Sequence, residues 1–298
     1  MDYSPQPNKT RIGIVAGGLS SAYVGSMVAL NQAWYADYPR SKFHFFDDKD
    51  EWNQVDKCGH IYGAYFQTLG TYQLYRWAGA DNKKAALMAG ASAFIYQSSI
   101  EVFDGFSAKW GASWSDIAAN AFGASFATAQ FLIWKEQRIW IKISPHITNY
   151  QPGELQDRAT ALYGKGPLNL ILKDYNSINF WLSVNPYSFA KSSKFPTWLN
   201  FSIGYGAGNL YGGFENKWVD NKGVAHDRSD LKRYRKFLIS IDYDLTRIKT
   251  KTRAGRIAAY VFNVFKLPAP AIEFNTNGQV IFHPCYFLNM EVPIYLKK

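Results

Sequence analysis

The chain has 298 residues, enough for one large domain or two modest ones, and it is rich in aromatic residues. Aromatic residues make up 17% and charged residues only 19%, the latter below the share of an ordinary soluble domain. The net charge of +10 lies in the second half, where residues 138–298 hold 22 basic and 11 acidic side chains, against 11 and 12 in residues 1–137. No nucleic-acid motif accompanies this charge, so nucleic acid is excluded as a partner. Anionic lipid or lipopolysaccharide is the expected counter-charge, with a merely solvated basic surface as the alternative.

The first predicted element is a long apolar helix. Ile12 to Ala36 contains no charged residue and is long enough to cross a hydrocarbon core. Small residues recur at every fourth position, at Gly13, Gly17, Ser21 and Gly25, which predicts close packing against another helix in an apolar medium. The ten residues before this helix are polar and the run lacks a small-x-small exit, so we expect no cleavable signal in the printed chain.

Three further uncharged stretches predict three more helices, over 61–75, 85–100 and 117–134. They are at or below the usual spanning length of about 18–20 residues. The four helices therefore either span or sit deeply in a membrane, or form the core of a soluble bundle. The 20 Tyr and 10 Trp residues suit a bilayer interface, and a soluble, tyrosine-rich β protein is the competing interpretation.

Near Arg138 the pattern changes from helical to alternating. Apolar and polar side chains alternate over 139–143, 178–184, 199–205 and 237–245, and another strand is predicted at 272–274. A basic amphipathic helix, Arg253 to Phe265, interrupts the strands. The fold class is therefore α+β, with a membrane-associated four-helix bundle over 1–137 and a β-rich domain over 138–298. The second domain is a mostly antiparallel sheet or small barrel packed on the helices. A lipid-facing barrel is the disfavoured alternative, because too few strands are visible to close one.

Polar residues gather at the predicted ends of the last three helices of the bundle. Before and after these helices lie seven candidate ligand-binding residues: Asp56, Lys57, His60, Glu101, Asp104, Asp116 and Asn120. In an up-and-down bundle these ends meet on one side, where a histidine among carboxylates can perform acid–base chemistry, bind a divalent ion or hold a polar head group. His60, Asp56 and Glu101 are the candidates for catalysis. The structural alternative is that these groups tie loops together and that Asp116 or Ser113 caps the fourth helix.

The sequence carries no strong enzymatic or cofactor motif. Its two cysteines, Cys58 and Cys285, give no disulfide or metal signature, and Cys58-Gly59-His60 is too tight for a standard zinc pair. The glycine-rich run from Gly204 to Gly213 lacks the Lys and Ser/Thr of a phosphate loop, and no Gly-x-Ser-x-Gly is present. We therefore predict no metal and no cofactor, and favour a non-enzymatic protein.

Several motifs of the helical half resemble a known family. These motifs are Phe43-His44-Phe45-Phe46-Asp47-Asp48, Glu51-Trp52, Asp56-Lys57-Cys58-Gly59-His60, Glu101 to Ser107, Trp110 to Ser113, Asp116 to Asn120 and Gly123. They resemble the YfiM-type family of predicted periplasmic lipoproteins, in the long form typical of Bacteroidetes. The Asp-Lys-x-x-His and Asp-x-x-x-Asn-x-x-Gly elements are also similar to VanZ-like membrane proteins. The chain shows no lipobox cysteine, so the resemblance implies a location and a fold pattern rather than a lipid anchor or an activity.

Together these patterns predict a membrane-associated protein of the bacterial cell envelope, on the outer-membrane or periplasmic side rather than in the inner membrane. We expect it to bind a membrane lipid, lipopolysaccharide or an outer-membrane protein through the polar site at the helix ends. The alternative is a membrane-embedded enzyme that acts on an envelope lipid or glycolipid with His60 as general base.

Overall fold

The fold comes from a computed structural model that describes residues 3–35, 38–166, 173–191, 194–288 and 290–294. The chain divides into two compact units. The helical unit comprises Met1–Lys49 and Lys57–Gln137, and the strand unit comprises Asp50–Asp56 and Arg138–Lys298. The predicted α+β class is confirmed, with helices dominating the first half and a mostly antiparallel sheet the second.

Four long helices make up the helical unit: α1 (Lys9–Leu30), which continues into a π-helical turn at Asn31–Tyr35, α2 (Val55–Trp77), α3 (Asn82–Gly105) and α4 (Trp114–Ile133). Polar side chains cap three of them, because Asn8, Asp81 and Ser113 each accept a hydrogen bond from a backbone N–H of the first turn. Each of the four predicted helices is therefore present, and α2 and α3 extend beyond their predicted ends.

Small residues let α2, α3 and α4 pack closely. Ala64, Ala93 and Ala124 form a buried cluster, one residue from each helix. A Cβ atom at Gly123 would stand only 2.1 Å from the carbonyl oxygen of Ile61, so glycine is required where α4 meets α2. Small residues therefore set the close approach of the helices in this part of the bundle.

The small-residue stripe of α1 behaves differently. No atom of the structure lies within 4 Å of a Cβ built at Gly13, Gly17 or Gly25, so the predicted close helix contact is not met within the described part of the chain. Within α1, Val15 and Met27 are the two buried residues. Among the described helices, α1 alone is long and apolar enough to cross a membrane, by length and composition only.

The strand unit is built on one open sheet of seven antiparallel strands in the order β1-β2-β3-β6-β7-β8-β9. These strands are β1 (Ile139–Pro145), β2 (Ile178–Val184), β3 (Leu199–Gly208), β6 (Tyr234–Tyr243), β7 (Ala271–Asn275), β8 (Val280–His283) and β9 (Val292–Ile294). A separate hairpin pairs β4 (Lys217–Val219) with β5 (Ala225–Asp227). Three helices complete the described part of the unit: α5 (Glu154–Tyr163), α6 (Pro186–Phe189) and α7 (Arg253–Phe262).

The two faces of this sheet are reversed relative to a soluble sheet, which buries its apolar face. Along β6, Ile239 is 56% exposed, whereas Ser240 and Asp242 are buried. The register places Ile239 beside Ile203 of β3 and Ile272 of β7, so the apolar side chains share one outward face. The inward face holds a buried ion pair in which Lys142 Nζ lies 2.9 Å from a carboxylate oxygen of Asp242.

Candidate functional site

A buried lysine joins a loop and the first turn of α4 in the helical unit. Lys57, on α2, lies 2.6 Å from Oδ2 of Asp48 and 2.7 Å from Oδ1 of Asp116. All three side chains are nearly inaccessible to water. Because isolated charges are costly to bury, each of the three groups depends on the others for compensation.

Two serines complete the surroundings of Asp48. Its Oδ1 accepts hydrogen bonds from the hydroxyls of Ser113, at 2.5 Å, and Ser115, at 2.7 Å. Burial raises the pKa of Asp48, but hydrogen bonds with Asp116, Lys57 and the two serines outweigh burial and bring the pKa to about 2. Ser113 also caps α4, since its hydroxyl accepts a hydrogen bond from the N–H of Asp116. The predicted capping role of Ser113 is therefore confirmed.

His60 lies between two carboxylates, one turn along α2 from Lys57. Its Nδ1 is 3.7 Å from Glu101 Oε1, and its Nε2 is 3.7 Å from Asp116 Oδ1. Nδ1 also lies 3.1 Å from Oδ1 of Asn120, so this nitrogen donates its proton to the amide oxygen. Glu101 is itself fixed, because its Oε2 accepts the backbone N–H of Ser113. We name the set Asp48, Lys57, His60, Glu101, Asp116 and Asn120 the His60 cluster.

The helical unit thus brings together five of the seven predicted site residues: Lys57, His60, Glu101, Asp116 and Asn120. Asp104 accepts a hydrogen bond from the Tyr35 hydroxyl at 2.8 Å. Asp56 belongs to the strand unit, where it accepts a hydrogen bond from Tyr175 at 2.7 Å. The predicted role of all seven residues in ligand binding, and of His60, Asp56 and Glu101 in catalysis, stays a prediction.

Sequence reasoning missed Asp48 and the two serines as site residues. Asp48 lies in an acidic loop with Asp47 and Asp50, and no periodic pattern separates it from these exposed neighbours. The available signal was local: a Ser-x-Ser-Asp run opens α4, and serine hydroxyls at a helix start often face a carboxylate or a backbone donor.

The charges of the His60 cluster are unbalanced. Asp48, Glu101 and Asp116 supply three carboxyl groups, whereas Lys57 is the one permanent cation of the set. A proton on His60 would offset part of the difference, and so would a cationic ligand. The side chain of His60 is 17% exposed, against 11% or less for Lys57 and the carboxylates that face it. Approach from outside is therefore easiest at the imidazole.

A pocket of the helical unit lies elsewhere, at the ends of α1 and α3. Its lining includes Asn31, Tyr35, Arg40, Phe103 and Phe106 and no member of the His60 cluster. The His60 cluster itself is mostly buried, and the side chain of His60 is its most accessible member.

Residues 44–132 match the model of a protein family described as predicted periplasmic lipoprotein (DUF2279). The match covers less than half of the chain but includes every member of the His60 cluster. No curated protein and no solved structure matches the chain. The matched segment is similar to an uncharacterised family of periplasmic lipoproteins, which confirms the predicted location in the cell envelope, on the periplasmic side.

Proposed function

We propose that this envelope protein seats its helical unit in a membrane and binds a lipid there, through a primary ammonium head group held at the His60 cluster. The carrying observation is the excess of carboxylates over cations in a buried cluster. An ammonium group brings one positive charge and three hydrogen-bond donors, which would offset the excess of carboxyl groups over cations in the cluster. The resemblance of these motifs to YfiM-type and VanZ-like proteins is in keeping with this proposal.

Asn120 supports a head group that also contains a phosphate. Its side chain is fully buried, and its Nδ2 has no hydrogen-bond partner among the residues that the structure describes. An unsatisfied buried donor costs about 1–3 kcal/mol. A phosphate oxygen beside the ammonium group would accept this N–H and remove that cost.

The outer surface of the helices supports the membrane seat. Ile14 on α1, Ile95 on α3 and Phe122 on α4 are each more than half exposed. Large exposed apolar patches on soluble monomers are rare and mark contacts with a membrane or a partner.

An enzyme is the second candidate, because His60 has a feature that suits a general base. Glu101 and Asp116 each lie 3.7 Å from one of its ring nitrogens. Carboxylates so placed stabilise the imidazolium that forms when the ring accepts a proton. An envelope lipid or glycolipid would then be the substrate rather than a ligand.

The test compares two lipids on the full chain in detergent. Added phosphatidylethanolamine, with its primary ammonium, should raise the melting temperature, whereas phosphatidylcholine, whose quaternary ammonium donates no hydrogen bond, should not. The variant Glu101→Gln keeps an acceptor for the Ser113 N–H but loses a charge, and it should lose the response. Asp47→Asn is the matched control, because Asp47 is an exposed carboxylate paired with Lys49 outside the cluster.

Equal responses to the two lipids, or a full response in Glu101→Gln, would contradict the proposal. Mass spectrometry of the lipid after incubation separates binding from catalysis. A product that forms with the unaltered chain and not with His60→Gln would favour the enzyme. Stable co-purification of an outer-membrane protein that is lost in Glu101→Gln, with no lipid response, would favour a protein ligand instead.

A further inference from the structure

The outward face of the seven-stranded sheet is apolar and exposed along β3, β6 and β7. The register pairs Phe201 with Ile241, Ile203 with Ile239, and Tyr205 with Phe237 between β3 and β6. It continues this apolar row into β7, with Ile272 and Phe274. Of these residues, Ile203 is 60% exposed and Phe237 48% exposed. The face is too large and continuous to be the scattered apolar surface of a soluble protein.

The inward face shows why this sheet cannot bury its apolar side chains and expose its polar ones instead. Asp242 is fully buried, lies 2.9 Å from Lys142 Nζ and accepts a hydrogen bond from Ser183. Lys266 is buried nearby, where its Nζ donates to the Ile241 carbonyl. A one-residue shift would expose these charges and bury the isoleucines, so the register strongly specifies the observed orientation. The apolar face must therefore be covered by something apolar.

One end of the sheet carries aromatic and then cationic side chains. Trp198 stacks on Tyr243, the last residue of β6, with ring centres 5.5 Å apart. The chain then enters a segment with five cations and no acidic residue: Arg247, Lys249, Lys251, Arg253 and Arg256. Going outward from the apolar rows, the order is aliphatic, aromatic and cationic. The same order runs from the acyl chains to the head groups of a lipid leaflet.

Helix α7 lies at the end of the sheet where the basic segment begins. It begins in the basic segment and exposes Ile257, Val261 and Phe262. Asn263, directly after it, is buried and accepts hydrogen bonds from Lys142 and from the backbone N–H of Leu245, which fixes the helix at the Tyr243 end of β6. A short basic helix with exposed apolar residues is typical of a segment that lies in a membrane interface.

From these features we infer that the strand unit has its own membrane-contact surface, separate from the His60 cluster. The apolar sheet face contacts acyl chains, and α7 with the basic segment 247–256 binds anionic head groups. Charge complementarity favours this occupant over a second copy of the chain, because two copies would bring two basic segments together.

The experiment places a fluorescent label on the full chain reconstituted into lipid vesicles. Ile239→Cys reports on the sheet face, Phe262→Cys reports on α7, and Val224→Cys in the β4–β5 turn is the exposed control. The unaltered chain, labelled in the same way, gives the background from Cys58 and Cys285. Quenchers are a phospholipid with a nitroxide on its acyl chain, a phospholipid with a nitroxide on its head group, and water-soluble iodide.

At Ile239 we expect quenching by the acyl-chain nitroxide and protection from iodide, with the reverse at Val224. At Phe262 we expect quenching by the head-group nitroxide in vesicles that contain phosphatidylglycerol but not in pure phosphatidylcholine. The triple variant Lys249→Gln, Lys251→Gln and Arg256→Gln should weaken this docking about 100-fold, since each basic residue near an anionic surface contributes about fivefold. His60→Ala should leave all three signals unchanged, so failure here is distinguishable from failure at the His60 cluster.

Two results would overturn the inference. Iodide access at Ile239 equal to that at Val224 would show that water, not lipid, covers the face. The second result is a dimer in detergent that dissociates in the double variant Ile203→Ser, Ile239→Ser, together with no acyl-chain quenching. This result would show that a second copy of the chain covers the face.

Discussion

At the residue scale, the helical unit holds Lys57 between the buried carboxyl groups of Asp48 and Asp116. Lys57→Met would leave Asp48 and Asp116 without their cation, and removing one partner of a buried ion pair costs about 3–5 kcal/mol of the free energy of unfolding. Chemical denaturation measures this loss. Lys49→Met is the matched control, because Lys49 forms an exposed pair with Asp47 at 3.1 Å and should contribute about 1 kcal/mol or less. Similar losses in the two variants would contradict the coupling described for the His60 cluster.

His146 in the strand unit gives a prediction about pH. Burial and the nearby charge of Lys236 lower its pKa from the ordinary value of 6.5 to about 4. Between these values the unfolded chain binds more protons than the folded one. The contribution of neutral His146 to the free energy of unfolding is therefore complete above about pH 6.5. It decreases as the pH falls toward 4, by up to about 3 kcal/mol. His146→Gln should flatten this part of the curve of unfolding free energy against pH.

His226 provides a comparison of opposite sign. Its hydrogen bond with Asp220 raises its pKa, although partial burial opposes the rise. Its contribution to stability is therefore present in acid and lost as the pH rises through the raised pKa. His226→Gln should remove stability at acidic pH, where His146→Gln restores it. Curves that change in the same direction for both variants would refute the assignment for His146.

At the element scale, the backbone just after α4 is strained at Lys135, and a substitution there can relieve this strain. Lys135 follows the C-cap Trp134, has a positive φ of 61° and is exposed. Glycine adopts this conformation without steric cost and is favoured at this position of a helix end. Lys135→Gly should therefore raise the free energy of unfolding by about 0.5–1 kcal/mol. Lys135→Ala keeps the Cβ atom, so an equal gain from alanine would mean that loss of the lysine charge, not relief of strain, is responsible.

The elements themselves were largely predictable, and the reasons are particular. Four charge-free runs mark α1 to α4, and strict alternation predicts β2 at its observed bounds and β3 and β6 to within three residues. β8 and β9 are four and three residues long, too short for a period to be recognised. The two-residue alternation also shows that one face of β6 is apolar and the other polar, but it does not show which face is buried. Only the burial of Asp242 and the exposure of Ile239 settle that point.

The His60 cluster was predictable in part for the same kind of reason. His60, Glu101, Asp116 and Asn120 lie at or near helix ends, and the alternating direction of the helices brings such ends together. Asp48 depends instead on the path of a loop, which no periodicity records. Asp104 lies one turn from Glu101 in sequence, yet it accepts a hydrogen bond from Tyr35.

At the scale of the whole molecule, both units expose apolar side chains that water would not stabilise. In the helical unit these lie along α1, α3 and α4, and in the strand unit they cover the outward face of the sheet. We therefore expect the native protein to float with membranes in a density gradient and to stay there after a high-salt wash. Salt screens the attraction of the basic segment 247–256 to anionic lipid but leaves apolar contacts intact. A detergent should then release the protein.

Flotation separates membrane association from aggregation, because aggregated protein sinks whether or not salt is present. Clean recovery of a monomer in high-salt buffer without detergent would show that neither apolar surface meets lipid. The membrane seat of the helical unit and the membrane-contact surface of the strand unit would then both be wrong.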